Sequence, residues 1–93
     1  MSGHGKREAV LKANATRWRA RVRADVAGEA ESAVIGDLID ELAGCIAAGD
    51  DLIVCRRSSQ RGRAAKFLAE RGHVEITWDL VRPVGVREGE LFG

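Results

Sequence analysis

In the segment "DLIVCRRSSQRGRAAKFLAERGHVEI", which runs from Asp51 to Ile76, Cys55 closes a short apolar run and Arg61 follows it after five intervening residues. Arg56, Arg57, Ser58, Ser59 and Gln60 fill the interval. A thiol placed before a cationic loop could act as a nucleophile, because a nearby cation and a helix N-terminus both favour the thiolate. The same guanidinium groups could instead hold an anion at the free N–H groups of a helix start. A third use needs no chemistry: Cys55 as a buried strand residue beside a solvated loop. That last use is the expectation for Cys55, which should be mostly buried and unreactive. Neither Cys45 and Cys55 nor His4 and His73 show zinc-ligand spacing, so no metal or cofactor is expected.

The elements that position this loop can be read from period and punctuation. Leu52–Arg56 reads as a buried strand, rich in residues that prefer strands. Ser58 or Ser59 can cap a helix over Gln60–Arg71, with Ala64, Ala65, Phe67 and Leu68 apolar and Gly72 ending it. "VEITWDL" alternates, with Val74, Ile76, Trp78 and Leu80 on one face and Glu75, Thr77 and Asp79 on the other. This predicts one strand, wet on one side, with Trp78 in the core. Pro83 and Gly85 mark a turn from which a last strand returns as a hairpin.

Upstream, Leu11, Ala15, Trp18, Val22 and Val26 recur at the helical period and predict a helix from Lys6 to Ala27. Trp18 lies within that stripe and is expected in the core, with base stacking as its competing role. A second stripe, Ile35, Leu38, Ile39, Leu42 and Ile46, predicts a helix from Glu29 or Ser32 to Ala48, with Gly49 past its end. A break at Gly28 suggests an antiparallel helical hairpin; the alternative is one long helix.

Ninety-three residues make a single domain, 1–93. Residues 1–5 are expected as a flexible N-terminus, 6–48 as two helices and 51–93 as strand, helix, strand, strand. The fold class expected is α+β: a helical hairpin followed by a small β-α-β-(β) unit, in two layers, with a winged-helix-like arrangement as the alternative. A chain this short buries a modest share of its surface, and forming a homodimer would help it. No apolar run approaches the ~18 residues that span a bilayer. "MSGHGKREAV" lacks the apolar core of a signal peptide, so no membrane contact and a cytoplasmic location are expected. Twelve Arg against three Lys, with much Ala, Gly and Val, suggests a GC-rich bacterial or phage genome.

The formal net charge of +1 hides four blocks: residues 1–28 carry +5, 29–51 carry −7, 52–73 carry +5 and 74–93 carry −2. Local fields, not the total, govern electrostatic binding. The run "RWRARVR" sets Arg17 and Arg21 on one flank of the first helix's stripe and Arg19 and Arg23 on the other. An acidic second helix beside this basic one would neutralise part of the run.

The C-x5-R spacing of Cys55 and Arg61 resembles the phosphate loop of protein tyrosine phosphatases, and the strand-Cys-helix order resembles the rhodanese active-site segment. Either resemblance implies Cys55 as nucleophile and Arg61 as anion binder, and covers about thirty residues. "AAKFLAERGHVEI" resembles the end of a winged helix-turn-helix recognition helix and the strand opening its wing. That implies Arg57, Arg61, Arg63 and Lys66 at phosphates and base edges.

The leading expectation is a small non-catalytic nucleic-acid-binding protein with an accessory or regulatory role. Arg19, Arg21, Arg23, Arg56, Arg57, Arg61, Arg63 and Lys66 would contact DNA or RNA phosphates. The alternative is a protein-interaction module, a phage-type or toxin–antitoxin-type regulator docking on a host protein through amphipathic helices and the acidic face. A Cys55-based enzyme comes third.

Overall fold

A computed structural model describes residues 2–27 and 33–86. Three helices and three strands follow in the order α1 (Ser2–Val26), α2 (Ala33–Ala48), β1 (Ile53–Val54), α3 (Gln60–Glu70), β2 (Val74–Thr77) and β3 (Leu80–Pro83). This is a small α+β fold. α1 starts at Ser2 instead of Lys6, so residues 2–5, expected as a flexible terminus, belong to the helix.

The two apolar stripes meet as expected. Trp18, Val22 and Val26 from α1 are buried in one cluster with Leu38, Ile39, Leu42 and Ile46 from α2. Burial of each such large side chain favours folding by about 1.5–3 kcal/mol. Leu11 and Arg7 of α1 lie by Gly49, whereas Arg23 lies by Gly36, so the two helices run antiparallel. Their link, around the expected break at Gly28, lies outside the described residues. Gly49 and Gly72, with φ of +88° and +80°, end α2 and α3 in the left-handed conformation that closes a helix. Behind them, Asp50 N–H donates to the Cys45 carbonyl at 2.9 Å and His73 N–H to the Leu68 carbonyl at 3.0 Å.

The sheet is antiparallel throughout, with strand order β1-β3-β2. Ile53, Ile76 and Val81 share a register row, and Ile53 and Val81 are buried with Val74 in the helical core. Two expectations are corrected here. β1 is two residues long, not Leu52–Arg56, and only its Ile53 faces inward; Val54 is exposed. The predicted single strand over 74–80 is instead a two-residue hairpin turning at Trp78 and Asp79, with Thr77 paired to Leu80.

The turn changes the parity of the pattern. Val74 and Ile76 face the core, but after the two loop residues it is Val81 that faces inward, and Leu80 faces out. Alternation alone cannot distinguish this from a continuous strand, and no Gly or Asn marks the loop. Trp78 has φ of +58°, the sole non-glycine at positive φ among the described residues. Positive φ at the first loop position is the pattern of a type II′ hairpin turn, where glycine is usual. An aromatic residue there is an outlier that costs about 1–3 kcal/mol. Trp78 is therefore not core: 79% of its surface is exposed.

The winged-helix alternative requires two helices between the first and second strands. The segment 55–73 holds one, α3, so no helix-turn-helix pair precedes the hairpin.

Candidate nucleic-acid interface

The loop between β1 and α3 is built around Ser59. Its side chain accepts from Gly62 N–H at 2.9 Å, capping α3, and donates to the Arg56 carbonyl at 2.6 Å. Ser59 N–H also donates to that carbonyl, at 3.0 Å. The chain thus folds back tightly on the first turn of α3, where Gly62 is buried. A Cβ at Gly62 would collide with the Arg56 carbonyl and the Arg57 Cα. The backbone turns inward, and Arg56, Arg57 and Arg63 are left exposed.

Two further bonds join this loop to the hairpin tip. Cys55 N–H donates to the Asp79 carbonyl at 2.8 Å, and Arg57 Nε donates to the Trp78 carbonyl at 3.0 Å. Arg63 Nη1 donates to the Ser58 carbonyl at 3.2 Å. Arg56 has no side-chain partner among the described residues. The result is one corner carrying Arg56 and Arg57 beside the exposed Trp78, with Asp79 as the acid in the same turn, while Arg63 lies on the side of α3 that faces Val34 and Ile35 of α2. Val54 and Leu80, register partners on the outer face of the sheet, extend it with exposed apolar surface.

The other predicted arginines are engaged elsewhere. Asp40 of α2 holds Arg19 Nε at 3.2 Å and Arg23 Nη2 at 3.0 Å. Glu41, the next residue, holds Arg61 Nη2 at 2.5 Å. The hydrogen bond that Arg61 donates to Glu41 raises the Arg61 pKa above its ordinary value. The acidic helix therefore lies between α1 and α3 and partly neutralises both basic segments. Arg21 belongs to the run that the acidic helix was expected to neutralise in part. Instead its guanidinium donates to the Val84 carbonyl at 2.8 Å and the Gly85 carbonyl at 3.3 Å. Two positions along a helix turn a side chain through about 200°, which sends Arg21 to the sheet side and Arg19 and Arg23 to α2. Lys66 is exposed on α3. The structure thus sets Arg56 and Arg57 at the hairpin tip, Arg63 at the α2–α3 groove, Arg19 and Arg23 on Asp40, and Arg21 on the chain at Val84 and Gly85.

Cys55 is 3% exposed, and burial pushes its thiol pKa up against the smaller opposing pull of Arg61. Arg61, the anion binder implied by the phosphatase and rhodanese resemblances, is paired with Glu41. No cluster of His, Cys, Asp and Glu among the described residues could hold a metal ion. A separate groove between α2 and α3 is lined by Val34, Ile35, Gln60, Arg63, Ala64 and Phe67.

Sequence reasoning missed Trp78, Val54 and Leu80 as surface residues. The available signal was Asp79 beside an aromatic in a run long enough to fold back on itself, and alternation concealed it. The chain matches no protein-family model, no curated protein and no solved structure. No helix among the described residues is long and apolar enough to cross a membrane.

Proposed function

We propose that the protein is a non-catalytic nucleic-acid-binding protein of the cytoplasm, with an accessory or regulatory role. Arg56, Arg57 and Arg63 meet phosphates, and Lys66 adds charge along α3. The observation that carries this reading is the pairing of outward arginines with an exposed tryptophan at one corner of the fold. Guanidinium groups beside an aromatic face are the combination that nucleic acids engage. Arg19, Arg23 and Arg61 contribute less than their number suggests, because Asp40 and Glu41 already occupy them.

A gel-shift titration against salt tests it. Phosphate contacts release counterions, so affinity should fall steeply as salt rises. Absence of a shift at low salt with generic DNA and generic RNA removes the reading.

A second reading is favoured by one observation: among the described residues, three of the four exposed large hydrophobic side chains, Val54, Trp78 and Leu80, lie at this corner. Such a patch also suits docking on a protein. A pull-down from nuclease-treated lysate, compared between the wild type and Leu80→Asp, distinguishes the two.

A further inference from the structure

Trp78 combines two features that folding alone does not explain. Its φ of +58° is a conformation that glycine adopts freely and an aromatic residue does not. It is also 79% exposed, so its ring gains little from burial in return. A sequence shaped by stability alone would place glycine at this position. Strain without packing compensation at an exposed position points to a role outside the fold.

The surroundings define what the ring would meet. Arg57 is tied to the Trp78 carbonyl, so the loop's charge and the hairpin tip form one unit. Exposed Arg56, next in the chain, adds positive charge there, against the single acid Asp79 of the turn. Next to the ring, Val54, Leu80 and Thr77 form one cross-strand row on the outer face of the sheet. Bases inside a duplex already stack on one another and offer no free face to an exposed indole. A single strand does, and its backbone supplies the anions. A single helix between β1 and β2 also leaves this corner without the helix pair that seats a recognition helix in a major groove.

We infer that Trp78 is a base-stacking platform and that the corner binds single-stranded nucleic acid in preference to duplex, with Arg56 and Arg57 holding the flanking phosphates. This deepens the nucleic-acid reading and rests on it.

The test uses the full chain and three fluorescent probes: an oligo-uridylate RNA, an oligo-thymidylate DNA and a mixed-sequence duplex DNA. Affinity is read by anisotropy at low salt, and stability by urea unfolding. The wild type should bind one or both single strands more tightly than the duplex, and the two single-stranded probes reveal whether the sugar matters. Trp78→Gly should lose about tenfold or more of single-strand affinity. Its urea midpoint should be unchanged or higher, since glycine relieves the strained turn. Trp78→Phe should retain most of the binding.

Trp78→Gly binding single strands as tightly as the wild type overturns the inference and leaves the nucleic-acid reading standing. So does a duplex bound as tightly as the tighter-bound single strand. Failure of the wild type to bind any probe overturns both. A dimer seen by light scattering that Trp78→Gly dissolves, with no probe bound, also overturns both and assigns the patch to a second copy of this chain.

Discussion

The two tryptophans of this chain stand in opposite settings, each with arginines close by in sequence. Trp18 is 1% exposed between α1 and α2, flanked by Arg17 and Arg19. Trp78 is 79% exposed at the hairpin tip, with Arg57 on its carbonyl. Around Trp18 the charges are used within the molecule: Arg17 donates to Asn14, Arg19 and Arg23 meet Asp40, and Arg21 holds the chain at Val84 and Gly85. Around Trp78 the acids are fewer, and Arg56 and Arg57 remain outward. Two segments of equal formal charge, +5 each, therefore produce unequal fields. What differs is proximity to the acidic α2. α1 packs along α2 with Arg19 and Arg23 on Asp40, whereas of the second segment it is Arg61 of α3 that meets an acid of α2, at Glu41.

The largest expected effect lies at Trp18. Trp18→Ala should destabilise the protein by about 3–5 kcal/mol in urea unfolding, because it empties the centre of the α1–α2 interface. The indole Nε1 of Trp18 is buried and finds no hydrogen-bond partner, so Trp18→Phe should cost clearly less than Trp18→Ala. A folded Trp18→Ala protein of wild-type stability that has lost nucleic-acid binding would reverse the roles of the two rings.

Next in size is Gly62→Ala. A methyl at this position meets backbone, not a flexible side-chain end, so the loop must shift. A loss of about 1–3 kcal/mol is expected, together with weaker binding, since Arg56 and Arg57 move with the loop. Unchanged stability and unchanged affinity would mean that the loop geometry is not what presents these arginines.

On the helical side, pH offers a smaller and separate handle. Asp25 Oδ2 lies 2.7 Å from His73 Nε2 and 3.5 Å from Arg71 Nη1. The hydrogen bond from His73 lowers the Asp25 pKa below its ordinary 3.8, outweighing the opposing effect of burial. Because the folded state favours the carboxylate, this contribution is complete above the unfolded value and is lost as pH falls through the lower folded one. Asp25→Asn should flatten the acid limb of the stability profile below about pH 4 and leave nucleic-acid binding near neutral pH unchanged. An acid limb identical to that of the wild type counts against the pair.

The smallest expected effects sharpen the contrast between the two basic segments. Arg57→Ala and Arg56→Ala should each lower the salt slope of binding by about one unit. Arg19→Ala and Arg21→Ala should leave it almost unchanged. Stability should move by only about 0–1 kcal/mol in any of the four, as is usual for exposed pairs. Equal slopes for all four would show that the two segments act as one surface.

Local sequence was enough for the helices, their buried faces and the C-terminal ends of α2 and α3. The stripe from Ala15 to Val26, the stripe from Leu38 to Ile46, Ser59 as a cap and the glycines at 49 and 72 are local signals, set by helical period and backbone sterics. The expectation that Cys55 is buried also holds, although Val54 of the same apolar run is exposed, because alternate residues of the run face inward. The sequence left open which exposed arginines are paired with an acid, because Arg19 and Arg57 have the same chemistry and only the tertiary arrangement brings Asp40 to Arg19. Only the tertiary structure decided the fate of Trp78. In a run of alternating residues, one two-residue turn exchanges the inner and outer faces of everything beyond it, and the pairing of Thr77 with Leu80 places that turn at the tryptophan.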